Sequence, residues 1–161
     1  NHENNELVPV VSATKDGRDK KAALVLDYLI QASDIAHTMQ HWHVYTKWNE
    51  KLYIEMLKAY DKGRLERDPR EYWFDGEIEF FDKYAVPLAN KLHTCGVFGA
   101  YCDEYLNYAK QNRTEWVSKG REVVKEMTEK YNQLKNTSAT EIGESLHEDT
   151  TERNGEDLIF S

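Results

Sequence analysis

The segment ASDIAH, residues 32–37, ends an apolar run that begins at Ala22, and it leads into QHWHVYTKW, residues 40–48. An aspartate and a histidine are unusual at the end of an apolar helix. Polar side chains beside a core are costly to bury unless they are paired or bind a metal. We therefore expect Asp34 to lie where a buried helix emerges into a cleft.

Apolar side chains recur at helical spacing on both sides of this segment, and this pattern predicts an all-α fold. Four helices are expected, at about residues 19–33, 43–62, 70–93 and 103–135. The first is apolar nearly all round, which predicts burial on several sides. Gly63 is expected to end the second helix, Pro87 to bend the third, and Gly120 is a candidate break in the fourth.

The helices are flanked by polar segments of different composition. Residues 1–18 are polar with mixed charges, which predicts a linker or loop. Residues 136–161 are rich in acids, serines and threonines, which predicts an acidic disordered tail. A single domain over residues 19–135 remains, and 161 residues with 40 % hydrophobic content suffice for one core.

Composition excludes several classes of partner. With 29 acidic and 21 basic residues the net charge is -8, so no broad face neutralises phosphates and a nucleic-acid partner is not expected. No run approaches the length of a transmembrane helix, so this segment indicates no membrane partner. Cys95 and Cys102 form no disulfide framework, which favours a reducing, cytoplasmic location.

Four motifs in order carry a family resemblance. They are Ser33–His37, the pair Tyr45 and Trp48, the run Glu77–Leu88, and Asn112–Trp116. Over roughly residues 20–120 the chain resembles the second half of the catalytic domain of class I 3',5'-cyclic nucleotide phosphodiesterases, and looks closest to versions found in protists and algae. The resemblance implies a helical fragment of this HD-type domain, part of a metal-dependent enzyme that hydrolyses cAMP or cGMP to the 5'-monophosphate in signal transduction.

The resemblance implies a metal-ligand role for Asp34. In the family, an aspartate at this place completes a zinc site of two histidines and two aspartates, with magnesium or manganese close by. Two such ions activate a water and stabilise the attacking and leaving oxygens on phosphorus. The alternative from the residues alone is an aspartate that ends a helix within a polar network.

The family's other metal ligands lie upstream of this segment, as does the histidine that protonates the leaving oxygen. Nothing in this chain replaces them, and one carboxylate does not hold a catalytic zinc. We therefore expect no catalytic residue here and no activity of the chain alone. The expected partners are a cyclic nucleotide and the N-terminal half of the catalytic domain, in a longer parent that could be membrane-attached.

The resemblance also implies a nucleotide pocket. His37 takes a position near the nucleotide, while Tyr45, Trp48 and Leu52 correspond to residues that wall the pocket. At helical spacing the last three are equally well explained as core side chains. Both descriptions can hold, because a pocket wall is a core with one open side.

Glu77 and Phe80 correspond to the residues that hold the purine base. Phe80 fits the family's aromatic clamp, whereas Glu77 stands where the family has a glutamine. A glutamine both donates and accepts hydrogen bonds, but an ionised glutamate only accepts. The alternative is that Glu77 is one more exposed acid.

Two further possibilities remain open at this level. His41 and His43 could chelate a metal in a loop, but on a helix they would point apart, and surface or packing roles are the alternative. The whole segment could also be a non-catalytic helical binding module derived from such a domain.

Overall fold

The structure, a computed structural model, describes residues 15–153, with side chains over residues 16–101 and 103–137. Its helices are α1 (Lys15–Asp34), α2 (Trp42–Asp61), α3 (Pro69–Phe80), α4 (Val86–Cys95) and α5 (Cys102–Arg153). Short 3-10 turns lie at Ala36–Met39 and Gly99–Tyr101. No strand occurs in this part of the chain, so the all-α prediction is confirmed.

The third predicted helix is divided. It consists of α3, a π-helical segment at Phe81–Ala85, and α4. Pro87 has no backbone N–H and its ring crowds the carbonyl four residues earlier, so the regular ladder cannot continue through it. The chain widens into the π segment just before the proline, where Phe81 and Ala85 are buried. Gly96, with φ of 64°, then ends α4 in the left-handed conformation.

Helix α5 continues through Gly120 without a break. A Cβ at this position would lie 2.9 Å from ring atoms of Trp116 and 3.1 Å from Phe74, so the glycine serves close packing rather than a turn. The helix also runs to Arg153, through residues for which composition predicts disorder. An acidic composition indicates that a segment has too few apolar side chains to form a core. It does not oppose helix formation, because glutamate is a good helix former.

The structure describes only part of the predicted linker and of the predicted tail. Helix α1 begins at Lys15, inside the predicted linker, and residues 1–14 lie outside the described residues. Residues 154–161 of the predicted tail also lie outside them. The division into three parts therefore stays a prediction.

The chain forms two compact units, each made from two separate stretches. Within the described residues, the first unit comprises residues 15–46 and 77–115, and the second comprises 47–76 and 116–153. The core of the first unit consists mainly of small and aliphatic side chains: Ala32, Met39, Leu88, Ala89, Leu92, Leu106 and Ala109.

The core of the second unit is aromatic. Trp73 donates a hydrogen bond from Nε1 to Asn49 Oδ1 at 3.1 Å, and its ring packs on Tyr53 at 5.1 Å. Trp116 donates from Nε1 to the Phe74 carbonyl at 3.0 Å, and its ring has no exposed surface. Each of these buried polar atoms is therefore paired, as interiors require.

The prediction that the first helix is buried on several sides is wrong for the described chain. Leu24, Leu26 and Ile30 on α1 are 50 %, 58 % and 64 % exposed. Apolar periodicity shows which positions can be buried, but it does not show what covers them. None of the helices in the described residues combines the length and apolar character that a membrane span needs.

Candidate functional site

A groove in the first unit brings two of the predicted site residues together. It has a volume of about 260 Å³, and Asp34 and Phe80 both line it. Asp34 is the last residue of α1 and is exposed, whereas Phe80 is half-buried at the end of α3. A carboxylate and an aromatic face thus share one open site.

Helical spacing explains which side chains reach the groove. From α1 and the residue that follows it they are Gln31, Asp34 and Ile35, and from the stretch that begins at residue 80 they are Phe80, Lys83, Tyr84, Pro87, Leu88 and Lys91. Successive members of each set are alternately three residues and one residue apart, so each set lies along one side of its helical stretch.

The groove has an aromatic wall and two cations. The rings of Phe80 and Tyr84 stack with centroids 5.9 Å apart and planes inclined by 26°. Lys83 forms an ion pair with Glu79, and Lys91 places Nζ 5.2 Å from the ring centroid of Tyr28. The wall offers a flat apolar face on which a heteroaromatic ring can stack.

A buried tyrosine fixes Glu77. Tyr45 has no exposed surface, and its hydroxyl donates a hydrogen bond to Glu77 Oε2 at 2.7 Å. Burial first, and the carboxylate of Glu77 second, raise the pKa of Tyr45 far above its usual value of 10, so the phenol keeps its proton and remains the donor. Tyr45 therefore positions Glu77, and in this arrangement it presents no surface of its own to a ligand.

His37 lies beside this pair in the 3-10 turn that follows α1. Its ring is parallel to that of Tyr45, with the planes inclined by 3° and the centroids 6.3 Å apart. Burial lowers the pKa of His37, because desolvation disfavours the charged imidazole. Near neutral pH the ring is therefore uncharged.

A buried asparagine anchors the turn that carries His37. Asn112 donates from Nδ2 to the Thr38 carbonyl at 2.9 Å and to the Gln40 carbonyl at 2.7 Å. The Thr38 hydroxyl in turn donates to the Ile35 carbonyl at 2.7 Å. Asn112 Oδ1 is buried and has no hydrogen-bond partner among the described residues. The sequence resemblance included Asn112 but indicated no anchoring role.

His41 and His43 converge rather than point apart. Their Nδ1 atoms are 2.7 Å apart and their ring centroids are 4.6 Å apart. His41 precedes the first residue of α2, so the helical geometry that would separate the two rings does not apply to it.

Trp48 and Leu52 belong to the second unit and are described there. Both are exposed on α2, and Lys51 places Nζ 4.3 Å from the ring centroid of Trp48. The core alternative does not apply to these two, whereas it does apply to the buried Tyr45. Their predicted contact with a nucleotide stays a prediction.

The described residues do not complete a zinc or magnesium site. Within residues 16–101 and 103–137, no group of three or more histidine, cysteine, aspartate or glutamate side chains could hold a metal. Structural and catalytic zinc sites have at least three protein ligands. Asp34 can supply one ligand, and the remainder would have to come from elsewhere.

Seven of the nine residues that line the groove were not predicted as site residues, namely Gln31, Ile35, Lys83, Tyr84, Pro87, Leu88 and Lys91. The signal was present in the spacing. Counting three, four and eleven residues on from Phe80 gives Lys83, Tyr84 and Lys91. Counting three back from Asp34 gives Gln31.

Comparison with known proteins gives one match. The profile of the 3'5'-cyclic nucleotide phosphodiesterase family matches residues 2–98, which is more than half of the 161 residues. This stretch includes both sides of the groove and the Tyr45–Glu77 pair, and it ends before Asn112. No curated protein and no solved structure matches the chain.

Proposed function

The chain belongs to the 3'5'-cyclic nucleotide phosphodiesterase family, and we propose that it supplies the C-terminal part of a catalytic domain that hydrolyses cAMP or cGMP to the 5'-monophosphate. The groove that holds Asp34 and Phe80 together is the observation that supports this proposal most directly. Phe80 and Tyr84 would stack on the base, and Asp34 would face the phosphate end.

The size of the groove favours a partial site. Pockets for small ligands usually have volumes of about 300–1,000 Å³, and this groove of about 260 Å³ is slightly smaller. It would take the base and part of the sugar, while the phosphate would project beyond it. A further part of the domain would then close over the phosphate.

The role of metal ions in this function is inferred from membership of the family alone. Asp34 would donate one oxygen to the zinc ion, or to the magnesium or manganese ion beside it. The N-terminal half of the catalytic domain would provide the other ligands and the proton donor. The exposed apolar residues of α1, Leu24, Leu26 and Ile30, are a surface that such a half would cover. The parent enzyme would act in the cytoplasm in signal transduction.

Glu77 would discriminate between guanine and adenine. The Tyr45 hydroxyl donates to Oε2 and thereby holds the carboxylate in one orientation. Guanine offers a ring N–H and an amino group as adjacent donors, which a carboxylate can accept together. Adenine sets a ring acceptor beside its amino group, and a carboxylate repels that acceptor. We therefore propose a preference for cGMP, provided that this guanine edge faces Glu77.

Ligand binding by the purified chain tests the groove without catalysis. We expect cGMP and cAMP to bind weakly in calorimetry, and Phe80→Ala to abolish this binding. Phe98→Ala is the matched control, because Phe98 belongs to the same unit and lines a different, apolar pocket. Equal binding by both variants would overturn the proposed role of the groove. With zinc and magnesium added, the chain alone should show no turnover.

A second measurement tests the specificity. Glu77→Gln keeps an oxygen for the Tyr45 hydroxyl and adds an amide donor, so the ratio of cGMP to cAMP affinity should fall. A charged hydrogen bond of about 1.5–3 kcal/mol corresponds to roughly a tenfold to hundredfold change. Glu79→Gln removes the same charge two residues away and should leave the ratio unchanged. An unchanged ratio in Glu77→Gln would remove Glu77 from the site.

A non-catalytic binding module is the second candidate function. The observation that favours it is that the described residues contain no group of three or more side chains that could hold a catalytic metal ion. The two functions differ in one outcome. A module would bind the nucleotide with its full affinity by itself, whereas a partial site would gain affinity and turnover when the N-terminal half of the domain is added.

A further inference from the structure

His41 and His43 form a compact pair of imidazoles at the start of α2. Their Nδ1 atoms are 2.7 Å apart, their rings are inclined by 51°, and both side chains are exposed. At this distance one Nδ1 donates a hydrogen bond to the lone pair of the other. The pair lies within the first unit and lines neither of the two pockets described there.

The backbone holds the pair in place. The His41 carbonyl accepts the first hydrogen bonds of α2, from Val44 at 2.8 Å and from Tyr45 at 3.1 Å. Asn112 fixes the Gln40 carbonyl immediately before it. His43 lies in the first turn of the helix, and its own N–H is 3.5 Å from His41 Nδ1. The backbone beneath both rings is therefore ordered before a ligand bridges them, which reduces the conformational entropy lost on binding.

We propose that His41 and His43 chelate a divalent transition metal such as zinc through their Nδ1 atoms. On binding, the Nδ1 proton that the two rings share is released or moves to Nε2, so that both lone pairs face the metal. Zinc–nitrogen bonds of about 2.0–2.1 Å in tetrahedral geometry require the nitrogens to be roughly 3.3–3.4 Å apart. The rings need to open by only about 0.6 Å, and water completes the coordination. With two protein ligands this is a surface chelate, distinct from structural and catalytic zinc sites, which have at least three.

The donor set determines which metals fit. Imidazole nitrogen suits zinc, nickel and copper, whereas magnesium and calcium take oxygen ligands. The N-terminus of α2 carries partial positive charge and opposes any cation held by electrostatics alone. The nitrogen lone pairs must therefore provide the affinity. This site is separate from the metal role that the family resemblance implies for Asp34, and it does not depend on the proposed function.

Calorimetric titration of the full chain with zinc chloride at pH 7.5 tests the site. His43→Ala removes one ligand, and His41→Asn removes the other but keeps a residue that caps helices well. The loss of outer-shell partners alone costs metal sites about 10–100-fold in affinity, so each variant should weaken zinc binding at least about tenfold. Circular dichroism checks that both variants remain folded.

His93→Ala is the matched control. His93 is also exposed and in the first unit, but it pairs with Asp103 at 2.7 Å rather than with another histidine. This variant should bind zinc as tightly as the unmodified chain, and magnesium should give no heat with any of them. Zinc should also raise the melting temperature of the unmodified chain and of His93→Ala only. Equal zinc affinity in His43→Ala and His93→Ala would overturn the proposal.

Discussion

The two units differ in the side chains that form their cores. In the second unit, large aromatic residues are buried and their polar atoms are paired, as in Trp73 with Asn49 and Trp116 with the Phe74 carbonyl. The first unit has a core of smaller side chains, two open pockets and an exposed apolar face on α1. The second unit also exposes apolar side chains such as Trp48 and Leu52, and it has a pocket of its own beside Tyr72. The difference between the units therefore lies in the size of the side chains that each one buries.

The largest expected effect is in the second unit. Trp116→Ala removes a fully buried ring and should lower the free energy of unfolding by about 3–5 kcal/mol. Leu26→Ala on α1 removes a side chain that is 58 % exposed, and surface changes usually stay within about 0.5 kcal/mol. Urea denaturation of both variants measures the difference. Similar losses in the two would contradict the comparison between the units.

The next effect concerns the buried Asn112 of the first unit, which anchors the turn that carries His37. Asn112→Ala leaves the Thr38 and Gln40 carbonyls without their donor and should cost about 1–3 kcal/mol. Asn112→Asp should cost more at neutral pH, because it places a carboxylate oxygen against two carbonyl oxygens. The same denaturation experiment ranks the two variants. If Asn112→Asp were as stable as the unmodified chain, the anchor would be unimportant.

A smaller effect is expected at Gly120 in the second unit. Alanine favours helix over glycine by about 1 kcal/mol, but its Cβ would lie 2.9 Å from the Trp116 ring. Forcing a methyl group into a packed core typically costs about 1–3 kcal/mol, so Gly120→Ala should be destabilising overall. Gly76→Ala, where the nearest atom is 3.8 Å away, is the control and should be stabilising. Stabilisation by both would show that the aromatic core is loosely packed.

The smallest effect is a pH dependence in the first unit. Burial lowers the pKa of His37 in the folded chain, so the unfolded chain takes up this proton first as the pH falls below about 6.5. The contribution of His37 to the free energy of unfolding should therefore be fully present above that pH and should decrease below it. In His37→Gln the decrease between pH 7 and pH 5 should be shallower. Parallel curves for the two proteins would mean that His37 is solvated in the folded state.

The sequence predicts the helices well and their surroundings poorly. Periodicity identified the helical stretches, and Pro87 marked the interruption of the third helix, although the break takes the form of a π segment before the proline. The exposure of α1 could not be predicted, because a hydrophobic pattern does not specify what packs against it.

The candidate site shows the same limit. Motif order singled out Asp34 and Phe80, which share the groove. The hydrogen bond from Tyr45 to Glu77 spans 32 residues, and no spacing rule links side chains so far apart in sequence. The convergence of His41 and His43 depends on whether α2 begins before or after His41, and helix boundaries are the least certain part of a sequence-based prediction.

Both units depend on α5, and this has a consequence for synthesis of the chain. Asn112 bonds to Thr38 across 74 residues in the first unit, and Tyr53 bonds to Thr128 across 75 residues in the second. Such non-local pairings slow folding, because the entropy of closing a long loop is lost before the stabilising contact forms. On the ribosome neither unit can close until α5 has been translated. A nascent chain arrested before Asn112 would therefore expose the aromatic residues of α2 and α3, and would be prone to aggregate until translation resumed.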